Sequence, residues 1–403
     1  MTQVPYFKTG CTLLDLITGG AKNVFGIPAG KICNVVGDKS SGKTFFCNEV
    51  IASAAHEYGD KFRWMYDDCE SGYSFNTEDM YGINIVTPES NQSGTVEEAF
   101  YNIKKFCDSV EDDEFGIYVL DSLDALTSDE QDDRAEQRVK AYDNGKSFDK
   151  GTYGMGKPKY LSQEFFPQLV RLLEKKNILL IIVSQIRDNV DMFSFEKYTR
   201  GGGKALDFYC YMILWLATAK KIERKGHIVG GTNKIKMTKG KVSRPFREGF
   251  YTFYFDYGID DTGSCVDFLY DLRTDHGELS APLAKSIAWE KDDTKTAVTT
   301  TSVRDFLRNN KKYDDYLASS FCENRKFSLD TAQSYIATMP ELQKSYNDTF
   351  AAVMDRDTLI SYIENNNLKD ELHKRVIEKW EAVEDSIKTT RAKKYSSQLK
   401  SEE

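Results

Sequence analysis

Short apolar runs recur along the N-terminal part of the chain, each separated from the next by a segment with helical spacing or by polar residues. Lys31-Ile32-Cys33-Asn34-Val35-Val36 predicts a strand, as do Phe62 to Asp67, Ile117 to Asp121, Ile178 to Ser184 and Tyr209 to Ala217. Ile178 to Val183 is apolar throughout, the pattern of a central parallel strand covered on both faces. Helices are predicted over Thr44 to Tyr58, Val96 to Ser109 and Ser162 to Lys176. Strand and helix in alternation argue for an α/β fold, a mostly parallel central sheet with helices on both faces. Asn233 to Met237 and Gly249 to Asp256 would extend that sheet, with an antiparallel sense open to them.

Two interior stretches lack such a period. Asp129 to Tyr160 is long, charged and Gly-rich, and Arg187 to Lys204 mixes charge, aromatics and the run Gly201-Gly202-Gly203. Both predict loops, and loops of that length inside a domain are usually functional or disordered. Near residue 272 the character changes. We expect a core over 1–271, a polar linker over 272–301 and a small helical domain over 302–388, with Leu359, Ile363, Leu372, Val376 and Trp380 among its apolar positions. Residues 389–403 are rich in Lys and Ser and predict a disordered tail. No internal repeat is found.

Composition narrows the class. The chain has 403 residues, 40% hydrophobic and 29% charged, which suits a globular protein. No run approaches the roughly 20 apolar residues of a membrane helix, and no secretion signal is expected from the N-terminal residues. Eight cysteines are scattered from Cys11 to Cys322 without a Cys-x-x-Cys pair, and there are four histidines, so neither a zinc site nor a disulfide framework is expected. Reduced thiols and a cytoplasmic location are the expectation. A net charge of −9 does not advertise nucleic-acid binding, although a local basic strip can act within an acidic surface.

The motif richest in chemistry is Gly37-Asp38-Lys39-Ser40-Ser41-Gly42-Lys43-Thr44. It follows a predicted strand and opens a predicted helix, the context a phosphate-binding loop requires. Its backbone N–H groups would wrap phosphates at a helix N-terminus. Lys43 would reach the β- and γ-phosphates and the Thr44 hydroxyl would ligate Mg²⁺, which makes ATP with Mg²⁺ the expected ligand. Asp121 ends an apolar strand and is a second candidate for Mg²⁺, or a helix N-cap. Glu70, after the strand ending Tyr66-Asp67-Asp68, is a candidate general base, or a solvated loop acid. Gln185 ends the buried strand, at the sheet edge where open parallel sheets bind ligands, or is a polar loop residue. Lys236, Lys239, Lys241, Arg244 and Arg247 form the densest basic cluster of the core, which reads either as a phosphate contact or as a solvated edge strand.

In this order the motifs resemble the RecA-type recombinases, and especially the shorter phage-encoded members, from about Thr9 to Ile259. Thr9 to Asp15 resembles the family's N-terminal core segment, and Ser40-Ser41 in the phosphate loop is typical of the bacterial protein. Asp68-Cys69-Glu70 resembles the family's Asp-x-Glu, whose glutamate activates water, and Asp121 to Leu126 its second nucleotide motif. Ser184-Gln185-Ile186-Arg187, Met192-Phe193 and Gly202-Gly203-Lys204-Ala205-Leu206-Asp207-Phe208-Tyr209 resemble the family's second DNA-binding loop and the strand after it. Lys239-Gly240-Lys241-Val242 with Pro245-Phe246 resembles the segment whose lysines reach ATP on the adjacent subunit.

The resemblance implies a DNA-dependent ATPase that forms a head-to-tail filament on single-stranded DNA and pairs it with homologous double-stranded DNA in recombination and repair. Gln185 would sense the γ-phosphate. Lys157, Lys159, Arg187, Met192, Phe193, Arg200, Gly202, Gly203 and Lys204 would meet DNA. A single-strand-binding or mediator protein is a further partner, and no membrane is implicated. A ring helicase or a non-recombining regulatory paralogue are the alternative readings. The chain departs from the family at several points. The N-terminal helix is absent or reduced to Met1–Phe7, Asp207 and Asn189 stand where lysines are usual, and Ser74 and Thr77 occupy the adenine positions. The segment 129–160 is long for a first DNA loop, and nothing after 272 matches the family's C-terminal domain.

Overall fold

The computed structural model describes residues 5–19, 25–145, 156–188, 198–200, 202–241, 244–281, 283–285, 287–289, 295–296, 298–323, 326–351 and 353–391, with backbone alone at 156, 187, 188 and 198–200. Contacts divide the chain into two units, Met1–Cys265 with His373–Glu403, and Val266–Leu372. The boundary therefore lies earlier than the expected 271/272, and the chain from His373 onward groups with the N-terminal unit.

The first unit is an α/β layer structure around a nine-stranded sheet. Its strands are β1 (Lys31–Gly37), β2 (Phe62–Asp68), β3 (Phe115–Asp121), β4 (Ile178–Asp188), β5 (Tyr198–Arg200), β6 (Met212–Arg224), β7 (His227–Lys239), β8 (Glu248–Tyr254) and β9 (Gly258–Asp260). The order is β9-β8-β7-β6-β1-β4-β3-β2, with β5 folded back on β4. The five strands from β6 to β2 in that order run parallel, and β7, β8 and β9 add on in antiparallel sense. Val36, Tyr118, Leu120, Leu180 and Ile182 lie in a buried core under helices, which is why Ile178 to Val183 carries no polar position.

Helix α1 is Thr12–Thr18, α2 is Lys43–Tyr58 and α3 is Val96–Ser109. In α3 the Thr95 hydroxyl caps the Glu98 N–H at 3.1 Å, and Val96, Ala99, Ile103, Phe106 and Cys107 bury one face at helical spacing.

Several expectations are corrected. Asp129 to Tyr160 is not one loop, because Asp129–Asp143 forms a helix, α4, and Gly156–Tyr160 a short one. A capping-box pattern of Ser128 and Gln131 starts α4, the Gln131 side chain accepting the Ser128 N–H at 3.1 Å, and Glu130–Arg134 and Glu136–Lys140 pairs brace it at i,i+4. No residue of α4 is buried, so local capping and charge, not apolar periodicity, specify it. Of Arg187 to Lys204, the ends are regular. The strand β4 continues to Asp188, and Ile186 pairs with Arg200. Helix α5 is Phe166–Leu173, preceded by a wider turn over Leu161–Phe165, where one helix over Ser162 to Lys176 was expected. Helix α6 covers Gly203–Tyr209, so the strand expected from Tyr209 begins at Met212. Asn233 to Met237 is one part of a long hairpin whose turn, Lys225-Gly226, has positive φ at both residues (51° and 79°), as a tight two-residue turn requires.

The second unit is mostly helical. Thr300–Asn309, Tyr313–Ala318, Leu329–Ala337 and Pro340–Thr349 close on Val303, Phe306, Tyr316, Ile336, Tyr346 and Phe350. The expected linker contributes to it, since Ile287 and Trp289 are buried and Ile287–Ala288 pairs with Val353–Met354.

Candidate functional site

Register brings the chemistry to one edge of the sheet. Gly37 at the end of β1 pairs with Gln185 on β4, and Asp68 at the end of β2 pairs with Asp121 on β3. The C-terminal ends of four adjacent parallel strands thus converge where α/β sheets bind ligands. Residues 38–42 form the turn into α2. Lys39 N–H donates to Asp38 Oδ1 at 2.7 Å, and Ser40 has a positive φ of 61°. Gly42 has φ of 79°, and a Cβ there would lie 2.8 Å from Asn233 Nδ2, which itself donates to Ser41 O at 3.0 Å. Asn233 therefore braces the loop from the neighbouring strand β7. In the sequence Asn233 stands out only as the start of a strand. A buried Asn on an otherwise apolar sheet face was the available signal.

Lys43 is nearly buried, and its ammonium donates to Asp38 O at 2.7 Å and Gly37 O at 3.1 Å. Burial lowers its pKa, opposed by the carboxylates of Asp121, Glu70 and Asp38. Such a group gains most from an added anion. Ser41 Oγ is buried with no hydrogen-bond partner among the described residues, a polar atom left for a ligand of the loop. Thr44 Oγ1 donates to Asp121 Oδ2 at 2.8 Å, and Tyr66 OH donates to the same oxygen at 2.6 Å. Burial raises the Asp121 pKa, and these two donors oppose the rise. A hydroxyl and a carboxylate side by side, with no sulfur or nitrogen, are the donor set of a hard cation such as Mg²⁺. The residues fit that ion.

Glu70 and Gln185, far apart in sequence, meet here. Glu70 Oε1 accepts from Gln185 Nε2 at 2.7 Å and from Ser122 Oγ at 2.5 Å. The Gln185 N–H is held by Asp124 Oδ2 at 2.9 Å. Asp67, by contrast, is spent on structure, accepting from Ser93 and from Tyr118.

Beside the loop opens a cavity of about 710 Å³ lined by Phe45, Phe75, Ile228, Phe253 and Phe255 together with Lys221. Phe45 and Phe253 are 5.0 Å apart, centroid to centroid, and Phe253 and Phe255 are 5.8 Å apart. A flat heteroaromatic base fits such a wall. Ser74 and Thr77 do not line it, and Thr77 is buried, accepting the Ile85 N–H at 3.0 Å. The alternation of Tyr251, Phe253 and Phe255 along one face of a strand was the overlooked signal.

The remaining candidates lie elsewhere. Lys239 donates to the carbonyls of Asp207 and Phe208 at the end of α6, and Lys241 is exposed. The Lys157 ammonium bonds the carbonyls of Leu123 and Leu126, whereas Lys159 is exposed. Gly202 caps α6 with φ of 78°, where a Cβ would press on Leu206 and Leu123, Gly203 starts the helix, and Lys204 is exposed on it. Arg187 and Arg200 are placed by backbone only, on β4 and β5, and Met192 and Phe193 lie outside the described residues. No helix among the described residues is long and apolar enough to cross a membrane.

Comparison with known proteins agrees with this geometry. The model of the RecA N-terminal domain matches residues 1–260, more than half of the chain. Protein RecA of Wolbachia pipientis subsp. Culex pipiens (strain wPip) is 28% identical over 312 residues, 77% of this chain and 79% of that protein. Protein RecA of Anaplasma marginale (strain Florida) is 28% identical over 261 residues, 64% of this chain and 66% of that protein. Protein RecA of Ehrlichia chaffeensis (strain ATCC CRL-10679 / Arkansas) is 28% identical over 266 residues, 66% and 68% respectively.

Proposed function

Because the chain belongs to the RecA family, we propose that it is a DNA-dependent ATPase that assembles head to tail on single-stranded DNA and promotes homologous pairing and strand exchange. The observation that carries the reading is the contact between Glu70 and Gln185, 2.7 Å, beside the Thr44–Asp121 pair. A phosphate loop alone serves many reactions. A base and an amide joined at the γ-phosphate end of that loop, with the amide leading into residues 187–204, suit an ATPase whose nucleotide state is read by a DNA-gripping loop.

In this reading residues 37–44 wrap the phosphates and Lys43 leaves its loop carbonyls for the β- and γ-phosphates. Glu70, oriented by Ser122 and Gln185, takes the proton of the attacking water. When bound, Mg²⁺ neutralises charge on the phosphates, held by Thr44 and Asp121. Phe75, Phe253 and Phe255 take the base. Gln185 exchanges its bond to Glu70 for one to the γ-phosphate and so passes the state of the nucleotide to residues 187–204. Lys239 and Lys241 reach the nucleotide of the next protomer. Arg187, Arg200 and Lys204, with Lys159, supply phosphate contacts to DNA of little sequence preference.

The test is strand exchange between circular single-stranded and homologous linear duplex DNA, with ATP, Mg²⁺ and the full chain. Joint molecules should form with the wild type and not with Lys43→Ala. ATP hydrolysis without joint molecules would refute the recombinase reading and leave the ring motor or regulatory paralogue. Hydrolysis retained by Lys43→Ala would refute the nucleotide site.

A further inference from the structure

Away from the nucleotide site, three side chains of different chemistry converge within the first unit. Asp261 opens helix α7 (Asp261–Leu269), and Cys265 follows one turn later, so the i,i+4 spacing places both on one face. His373 comes from helix α8 (Lys369–Ser386). Its Nε2 lies 2.7 Å from Asp261 Oδ2, Cys265 Sγ lies 3.5 Å from Asp261 Oδ1, and the ligand atoms of all three are within 4.8 Å of one another.

A tetrahedral ion with metal–N and metal–O distances of about 2.1 Å and a metal–S distance of about 2.3 Å separates its ligands by roughly 3.3–3.6 Å. His373 Nε2 and the Asp261 Oδ2 it faces would open by about 0.7 Å, while Cys265 Sγ, 3.5 Å from the other carboxylate oxygen, lies within 4.8 Å of the ligating atoms and would close on them. Thiolate and imidazole select a zinc-class ion over Mg²⁺. A thiolate, a carboxylate and a neutral imidazole also sum to the charge that a dication balances. The carboxylate is held in place from behind, since the Thr12 N–H donates to Asp261 Oδ1 at 2.7 Å. Outer bonds of that kind orient a metal ligand. Cys265 is buried, while the Asp261 and His373 side chains are 21% and 31% exposed, so an ion has a way in from their side.

We propose that Asp261, Cys265 and His373 bind one zinc-class divalent cation, with water in the fourth position. Binding displaces the Cys265 thiol proton to solvent and moves the proton between His373 Nε2 and Asp261 off that nitrogen, to Nδ1 of a neutral ring or to solvent from an imidazolium, so that His373 ligates as neutral imidazole. Cys265 is the last residue before the chain passes into the second unit, and His373 the first after its return. The ion therefore closes a loop of about a hundred residues and restricts the unfolded chain. It does not depend on the nucleotide reading.

The test loads the metal-stripped full chain with Co²⁺, which reports thiolate ligation through a near-ultraviolet charge-transfer band, and then displaces it with Zn²⁺. One equivalent should give the band, Zn²⁺ should abolish it, and the melting temperature should rise. Cys265→Ser should lose the band, and His373→Gln should weaken Zn²⁺ binding at least about tenfold. Retained ATP hydrolysis shows that each variant is folded. A wild type without the band overturns the proposal, as does Zn²⁺ affinity unchanged in both variants, which would mark an adventitious ion only.

Discussion

Lys43 and Glu70 are both held in place by hydrogen bonds that, in the proposed function, nucleotide replaces. The Lys43 ammonium sits on two carbonyls of its own loop, and the Glu70 carboxylate on Gln185 and Ser122. Glu70→Gln keeps the shape of the side chain and removes its basicity. It should slow ATP hydrolysis by about 10²–10⁴-fold while leaving binding of a fluorescent ATP analogue within a few-fold of the wild type. Undiminished turnover would remove Glu70 from the chemistry. Gly42 shows how finely the loop is set. With φ at 79° and Asn233 2.8 Å from where a Cβ would stand, the position admits glycine alone without moving β7.

The telling elements are β7 and helix α6. The end of β7 delivers Lys239 to the last carbonyls of α6, so the strand that carries the lysines proposed to reach a neighbour's nucleotide is tied to the helix that follows the Gly-rich run. A cation at a helix C-terminus is favourable in itself, and Lys239 has its pKa lowered by burial and by Lys241. Replacing Lys239 and Lys241 together by Ala should leave nucleotide binding by the monomer intact and make ATP hydrolysis insensitive to single-stranded DNA. Stimulation by DNA equal to the wild type would end the assignment of these lysines to the neighbour's nucleotide. Helix α4 shows the opposite relation to sequence. Its residues bury nothing, so the periodicity of apolar positions could not reveal it, yet the Ser128/Gln131 capping-box pattern was there to be read.

Two buried carboxyls shape the pH response of the molecule as a whole. Burial pushes Asp15 up to about 7, against hydrogen bonds from Thr9, and Glu49 up to about 7, against bonds from Tyr81 and Ile259. A carboxyl whose folded pKa exceeds its unfolded value holds its proton longer in the folded chain. Its contribution to stability is full below about pH 4 and is lost as pH rises to about 7, on the order of 3–4 kcal/mol for each group at most. Urea unfolding should therefore show these two carboxyls pulling stability down between about pH 4 and pH 7, and Asp15→Asn should flatten that slope. An unchanged slope in the variant would show that Asp15 titrates normally.

Much of the candidate nucleotide site was legible in the sequence because its parts are local. Gly37 to Thr44 is contiguous, its strand and helix are adjacent in the chain, and Asp121 and Gln185 announce themselves as polar ends of apolar runs. The sheet was legible for the same reason, since period and length specify a buried parallel strand. Tertiary structure alone decided what comes from pairing across distance. The sheet register sets Glu70 against Gln185, and β7 sets Asn233 behind Gly42. Phe75 and the Phe253/Phe255 pair, from separate segments, meet as one wall. Likewise Asp261 and Cys265 show their spacing in the chain, but His373 reaches them only because the C-terminal helix returns to the first unit. Local propensity and hydrophobic period are written in neighbouring residues, whereas contacts between distant segments exist only once burial has chosen which faces meet.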